Sequence, residues 1–244
     1  MKPLFAIVRR ELSAFFSSPI GYVFLVVFLV LSGFFTFMVS SFIERGEADL
    51  GLFFMWMPWL YLFLVPAAGM RMWSEERRQH TFELLMTLPI APWQAIVGKF
   101  MAAWVVIAVA QLLTFPVVLT VNYLGDPDNG VILAGMLGSL LLAGAYLAVV
   151  ALTSSLTRNQ VVSFILAAAV GLFLVLAGWP PVTSFLERFS PAWLVDVVAG
   201  MSVMTHFQSI QRGVLDSRDL LYFFSLIIFG LVATGVILRL RRSA

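Results

Sequence analysis

A chain of 244 residues that is 61% hydrophobic and only 11% charged has less than half the charged fraction of an ordinary soluble domain, about 25%. With a mean hydropathy of +0.99 and 23 Phe, it carries more apolar surface than a water-soluble core could hide, so the solvent of the fold is lipid. The formal net charge of +2 gives no sign of a nucleic-acid partner, and the absence of Cys excludes a disulfide framework, a thiolate metal site and a Cys nucleophile.

In chain order, the opening residues place Leu4, Phe5, Val8, Leu12, Phe15 and Phe16 on one helical face, with Lys2, Arg9, Arg10 and Ser13 on the other. That pattern predicts a helix over residues 1–19 lying in the membrane interface. A plain extension of the first span is the alternative, and it would bring Arg9, Arg10 and Glu11 close to lipid at a cost of a few kcal/mol. No short apolar run with a small-residue cleavage site opens the chain, so the first apolar stretch is expected to remain in the mature protein.

Six apolar runs follow, at 20–43, 51–73, 99–124, 131–156, 161–178 and 220–238, with Arg71 near the end of the second and Lys99 at the start of the third as their only charged residues. A helix crosses a hydrocarbon core in about 20 apolar residues, so these runs predict six transmembrane helices in one membrane domain, 1–244. The runs are continuously apolar, whereas membrane strands alternate, so a barrel is excluded and the expected fold class is all-α. With both termini inside, the cytoplasmic segments hold Lys2, Arg9, Arg10, Arg71, Arg77, Arg78, Lys99, Arg158, Arg239, Arg241 and Arg242 out of 15 Lys and Arg. Arg45, Arg188, Arg212 and Arg218 stay outside with most of the acids, so the positive-inside rule predicts N-in, C-in.

Between the second and third spans, residues 74–92 carry Glu75, Glu76, Arg77, Arg78, Gln79, His80, Thr81 and Glu83, then Pro89 and Pro92. Thr81 can cap a helix starting at Phe82, with Glu83 favourable in its first turn, and the prolines end that helix near Leu88. Mixed charge before a short apolar helix suggests a docking surface, although a solvated loop would satisfy the same charges. After the fifth span, residues 179–219 open on Pro180-Pro181 and break again at Ser190-Pro191. The apolar stretch from Trp193 to Met204 is too short to span. It is expected to be a re-entrant outer lid or gate, with Trp193, Met201, Met204 and Phe207 as gate residues; an amphipathic helix resting on the outer leaflet is the alternative.

No G-x-x-x-x-G-K-[ST] occurs, and Gly98-Lys99 is followed by Phe100, so the chain cannot cradle ATP phosphates itself. His80 and His206 lie far apart in sequence, so metal catalysis is not expected. The predicted spans hold Arg71 and Lys99 only near their ends and no ionisable residue near the midplane of the kind that proton-coupled carriers keep, which favours an energy source outside the membrane. Small residues at Gly135, Ser139 and Ala143, at Ala167 and Gly171, and at Gly230 and Thr234 allow close helix approach, within the subunit or between subunits. Gln111 and Asn122 are the main polar groups available for interhelical bonds, and Pro58, Pro66 and Pro116 are candidate kinks.

The run from Met70 to Leu85, MRMWSEERRQHTFELL, closing on Pro89, resembles the segment after the second span of ABC-2-type permeases. With Arg9–Tyr22 and Phe207–Asp219 added, the chain is most similar to the gliding-motility (GldF-like) ABC permeases. The resemblance implies a six-helix subunit with an N-terminal interfacial helix, a cytoplasmic coupling helix and re-entrant outer helices. It implies two permease copies, or two related permeases, working with two nucleotide-binding ATPase subunits that bind the ATP and Mg; no cofactor is expected in this chain. By the same resemblance Glu75, Glu76, Arg77, Arg78, Thr81 and Glu83 meet the ATPase, with Arg158 in a second, smaller contact. The family usually has Gly where this chain has His80, and Gly is the more permissive turn residue.

The function these features imply is that of a non-catalytic permease subunit in a bacterial inner membrane, moving a substrate with ATP hydrolysed by a partner chain. A mechanotransmission or anchoring module acting on a periplasmic accessory or cell-surface partner, and an ion-coupled carrier, stay open as alternatives.

Overall fold

A computed structural model describes residues 2–79 and 91–240, and every regular element among them is helical. The chain opens with α1 (Lys2–Ser17) and α2 (Pro19–Gly33). The Ser18 hydroxyl accepts the Ile20 N–H at 3.4 Å and Pro19 takes the first helical position of α2. A serine cap followed by proline starts a new helix, so α1 is a separate element and not an extension of the span. A π-helical segment (Phe34–Val39) continues α2 to Ser40, and α3 (Phe42–Arg45) follows.

Next come α4 (Gly51–Gly69) and α5 (Arg71–Arg78), joined at Met70. Pro58 and Pro66 lie inside α4, which stays one helix through both. The third crossing is α6 (Pro92–Leu112) and α7 (Phe115–Leu124), with Pro116 in the first turn of α7 where the helix is interrupted. The helix begins at Pro92, about two turns before the expected start of the third span at Lys99, because proline is favourable at a helix start. Lys99 is therefore an internal residue of α6.

Asp128 caps α8 (Asn129–Leu156) by accepting the Gly130 and Val131 N–H groups at 2.8 and 3.3 Å. Asn159 caps α9 (Gln160–Leu176) in the same way at 2.9 and 3.4 Å. Then α10 (Pro180–Glu187) leaves α9 at 73°. After it come α11 (Ala192–Gly200), α12 (Val203–Gln211) and α13 (Ser217–Leu240). The stretch expected as one short element from Trp193 to Met204 is thus split, because the Ser202 hydroxyl accepts the Met204 N–H and starts a fresh helix.

Stretches 19–45, 51–78, 92–124, 129–156 and 217–240 are each long and apolar enough to cross a bilayer, and α9 with α10 makes a sixth path if the bent pair is one span. The fold is the expected all-α membrane bundle. Its axis is α8, the most buried of the crossings, packed by α4, α5, α6, α9, α12 and α13. The small residues that recur in α8 and its neighbours serve this packing. A Cβ on Gly230 would fall 2.8–2.9 Å from Ala148, including its backbone, and one on Gly135 would meet the Phe54 ring at 2.5 Å. A Cβ on Gly171 would meet Leu62 at 2.7 Å. All three contacts are within this chain.

Gln111 ties the centre together by donating to the Met136 carbonyl at 2.7 Å and accepting from the Tyr61 hydroxyl at 3.2 Å. It thereby links α6, α8 and α4 in a region where an unpaired amide would be expensive. Asn122 and Asn129 exchange amide hydrogen bonds at 3.1 and 3.0 Å across the turn between α7 and α8.

Candidate functional site

The charged residues expected to matter gather at one end of the bundle, where α5 emerges from α4. Eight residues are enough to put Glu75 and Glu76 on neighbouring faces of α5, with Arg77 and Arg78 in its last turn, where cations favour the helix dipole. Each side chain then meets a different neighbour. Arg78 donates to both Glu75 carboxylate oxygens at 3.1 and 2.6 Å, and Gln79 donates to Glu75 at 2.5 Å. Gln160, at the start of α9, also donates to Glu75. Arg77 reaches across to donate to the Ser155 carbonyl at 2.6 Å, in the last turn of α8. In this way α5 is fastened to the α8–α9 turn on two sides, and Arg158 lies exposed in that turn.

Glu76 turns the other way. Its carboxylate is 2.8 Å from the Lys99 ammonium, and Lys99 is also 3.2 Å from Glu11 on α1. Arg10 closes the group, at 2.6 Å from Glu11 and 3.9 Å from Glu76. The Lys99 side chain is only 5% exposed and lies 5.5 Å from the centre of the Trp73 ring, which adds cation–π attraction to the two ion pairs. A buried ammonium is tolerable only with such partners, and removing one partner from a buried pair typically costs about 3–5 kcal/mol. Burial by itself would raise the Glu11 carboxyl, but the Lys99 ammonium and the Arg10 guanidinium outweigh it and hold Glu11 below the ordinary carboxylate range.

Glu11 and Lys99 are the site residues that sequence reasoning missed. The facial pattern of α1 separates partly buried Leu4, Val8, Leu12, Phe15 and Phe16 from exposed Arg9, Arg10 and Ser13, but it singles out neither Ile7, which is buried, nor Glu11, and Phe5 is 70% exposed. A Cβ on Gly98 would fall 2.8 Å from Ile7, so α1 sits close against α6 at a glycine and carries Glu11 one turn along to Lys99. The available signal was Lys99 itself, directly after Gly98 and inside a helix that Pro92 could start.

Thr81 and Glu83, and the short helix expected over 82–88, lie outside the described residues. The four expected gate residues differ in burial. Phe207 is fully buried against α8 near Gly138, Met204 is partly buried beside it on α12, and Trp193 and Met201 are 66% and 44% exposed. A different cluster ties this end: His206 of α12 stacks on Tyr222 of α13 at 4.0 Å and lies 2.6 Å from Asp219, while the Tyr222 hydroxyl donates to the Met201 carbonyl at 2.6 Å. These contacts bind α11 and α12 to the start of α13. Among the described residues no three His, Asp or Glu side chains converge as metal ligands.

The charged cluster borders a cleft of about 760 Å³ walled by α1, α2, α5 and α6. Residues 6–192, which run from α1 to the first residue of α11 and include the whole charged cluster, match the family described as ABC-2 family transporter protein. No curated protein matches the chain.

Proposed function

The chain belongs to the ABC-2 family of transporter proteins, and on that premise we propose that it is the permease subunit of an ATP-driven transporter whose nucleotide-binding ATPase is a separate chain. The observation that carries the proposal is the fastening of α5 to the α8–α9 turn by Arg77, Glu75 and Gln160, with Arg158 left exposed beside it. A helix held to two neighbouring crossings at the charged end can pass a push on that end to both. Residues 74–92 are then the coupling segment, with Thr81 and Glu83 on its ATPase side. The charged end is cytoplasmic in a bacterial inner membrane, as the distribution of Lys and Arg supports, and the permease pairs with a second copy or a related permease. The three stretches quoted from the sequence support the gliding-motility subgroup.

A coupling test should avoid residues that hold the bundle together. Glu76→Ala would strip a partner from buried Lys99, and Arg77→Ala would release α5 from Ser155, so each mixes folding with coupling. Arg158→Glu is cleaner, because Arg158 is exposed in a turn. The chain purified in mild detergent should bring down a nucleotide-binding ATPase, and Arg158→Glu should reduce permease stimulation of that ATPase several-fold at unchanged melting temperature. Arg188→Glu, at an exposed position just after α10, should leave stimulation intact. Full stimulation with Arg158→Glu would remove this turn from the coupling surface, and failure to recover any ATPase would overturn the assignment.

A further inference from the structure

We propose that the cleft between α1, α2, α5 and α6 holds one phospholipid of the surrounding bilayer, its phosphodiester on Arg71 and part of an acyl chain along Phe15, Ile20 and Val106. The cleft has three carboxylates on its wall, and each is matched by a cation: Glu11 by Arg10, Glu76 by Lys99 and Glu75 by Arg78. Arg71 also lines the cleft, is half-buried, and has no hydrogen-bond or ion-pair partner among the described residues. It is a guanidinium in surplus, and a guanidinium drawn away from water is satisfied by a bidentate anion such as a phosphate.

The remaining walls set what that anion must be attached to. Ala14, Phe15, Ile20, Ala102, Ala103 and Val106 are apolar, so a free phosphate would leave them wetted and a plain hydrocarbon would leave Arg71 unpaired. An amphiphile with one negative headgroup satisfies both. The volume, about 760 Å³, falls in the range of small-ligand sites, about 300–1,000 Å³. Access is lateral: Ile20 on the cleft wall is 45% exposed and continues one and two turns along α2 into Val23, 59% exposed, and Val27, 38% exposed. That stripe is lipid-facing in a membrane bundle, so the cleft opens toward the acyl phase beside α1. Arg71 is five residues before Glu76 on α5, which places it about 7.5 Å deeper than the ion pairs, near the level where a headgroup phosphate meets its chains.

The site rests on the membrane placement of the chain and not on any ATPase partner, so its failure would leave the coupling proposal standing. The test is native mass spectrometry and thermal melting of the full chain in detergent with added phosphatidylglycerol or phosphatidylcholine. The wild-type chain should retain one phosphatidylglycerol and melt several degrees higher with it than with the neutral lipid. Arg71→Gln should lower retention about tenfold or more, the loss expected for one charge-assisted contact. Arg71→Lys should keep part of it, and Arg188→Gln all of it. Should Arg71→Gln fail to fold, Ala14→Trp, at an exposed position of α1 on the cleft mouth, should displace the lipid with Arg71 in place. Equal retention by the wild type, Arg71→Gln and Ala14→Trp would overturn the proposal. So would displacement of the lipid by millimolar inorganic phosphate, which would mark a soluble-phosphate site.

Discussion

Lys99 is the residue on which the charged end turns, because it is the cation that α1 and α5 share. Glu11 reports on that arrangement through pH. Its folded carboxyl titrates below the ordinary value of 4.5, so its contribution to stability is complete above 4.5 and is lost as the pH falls through the lowered folded value. The melting temperature of the wild type should therefore drop on acidification below 4.5, and Glu11→Gln should show a shallower drop; parallel curves would mean that Glu11 is not coupled to folding. Two buried tyrosines make a second residue-scale pair. The Tyr146 hydroxyl has no hydrogen-bond partner among the described residues, whereas the Tyr61 hydroxyl donates to Gln111. Removing a buried unpaired hydroxyl relieves a desolvation penalty, while removing a paired one orphans its partner, each worth about 1–2 kcal/mol. Tyr146→Phe should raise the melting temperature and Tyr61→Phe should lower it; the same sign for both would refute the hydrogen-bond assignment.

At the scale of elements, the approach of α13 to α8 depends on a hydrogen where other residues carry a carbon. A Cβ at Gly230 would lie 2.9 Å from the Ala148 carbonyl, and backbone cannot move aside as a side-chain tip can. Gly230→Ala should therefore destabilise by about 1–3 kcal/mol, as overpacking does. Gly33→Ala, at the end of α2 with no atom within 4 Å of the added carbon, should be neutral or slightly stabilising in helix propensity. A melting comparison in one detergent decides it, and equal effects would show that helix propensity and not close approach sets the outcome. The element boundaries are set by local chemistry that spans drawn from apolar runs alone did not use. Ser18-Pro19, Pro92, Pro116, Asp128 and Asn159 each start a helix through a cap or a first-turn proline. The two faces of α1 were legible, but the groups it meets were not, because Gly98 and Lys99 stand on another helix.

In the molecule as a whole, stability is distributed from α8 outward. Helix α8 is buried along most of its length, α10 has no buried residue and α11 has only Val195. Backbone amides of α8 should be the last to exchange with deuterium and those of α10 and α11 the first, since segments with few buried contacts open at low free energy. Protection of α10 equal to that of α8 in lipid nanodiscs would contradict this order. The sequence by itself determined the solvent, the helical class and the approximate crossings, because a bilayer demands long uncharged runs whose backbone bonds close internally. It also marked residues 74–92 as chemically unlike the scaffold. Only the tertiary structure decided which charges meet. The sharing of Lys99 between Glu11 and Glu76 and the fastening of Arg77 to Ser155 join residues from helices distant in sequence. Such pairings follow from how helices pack, and no local periodicity records them.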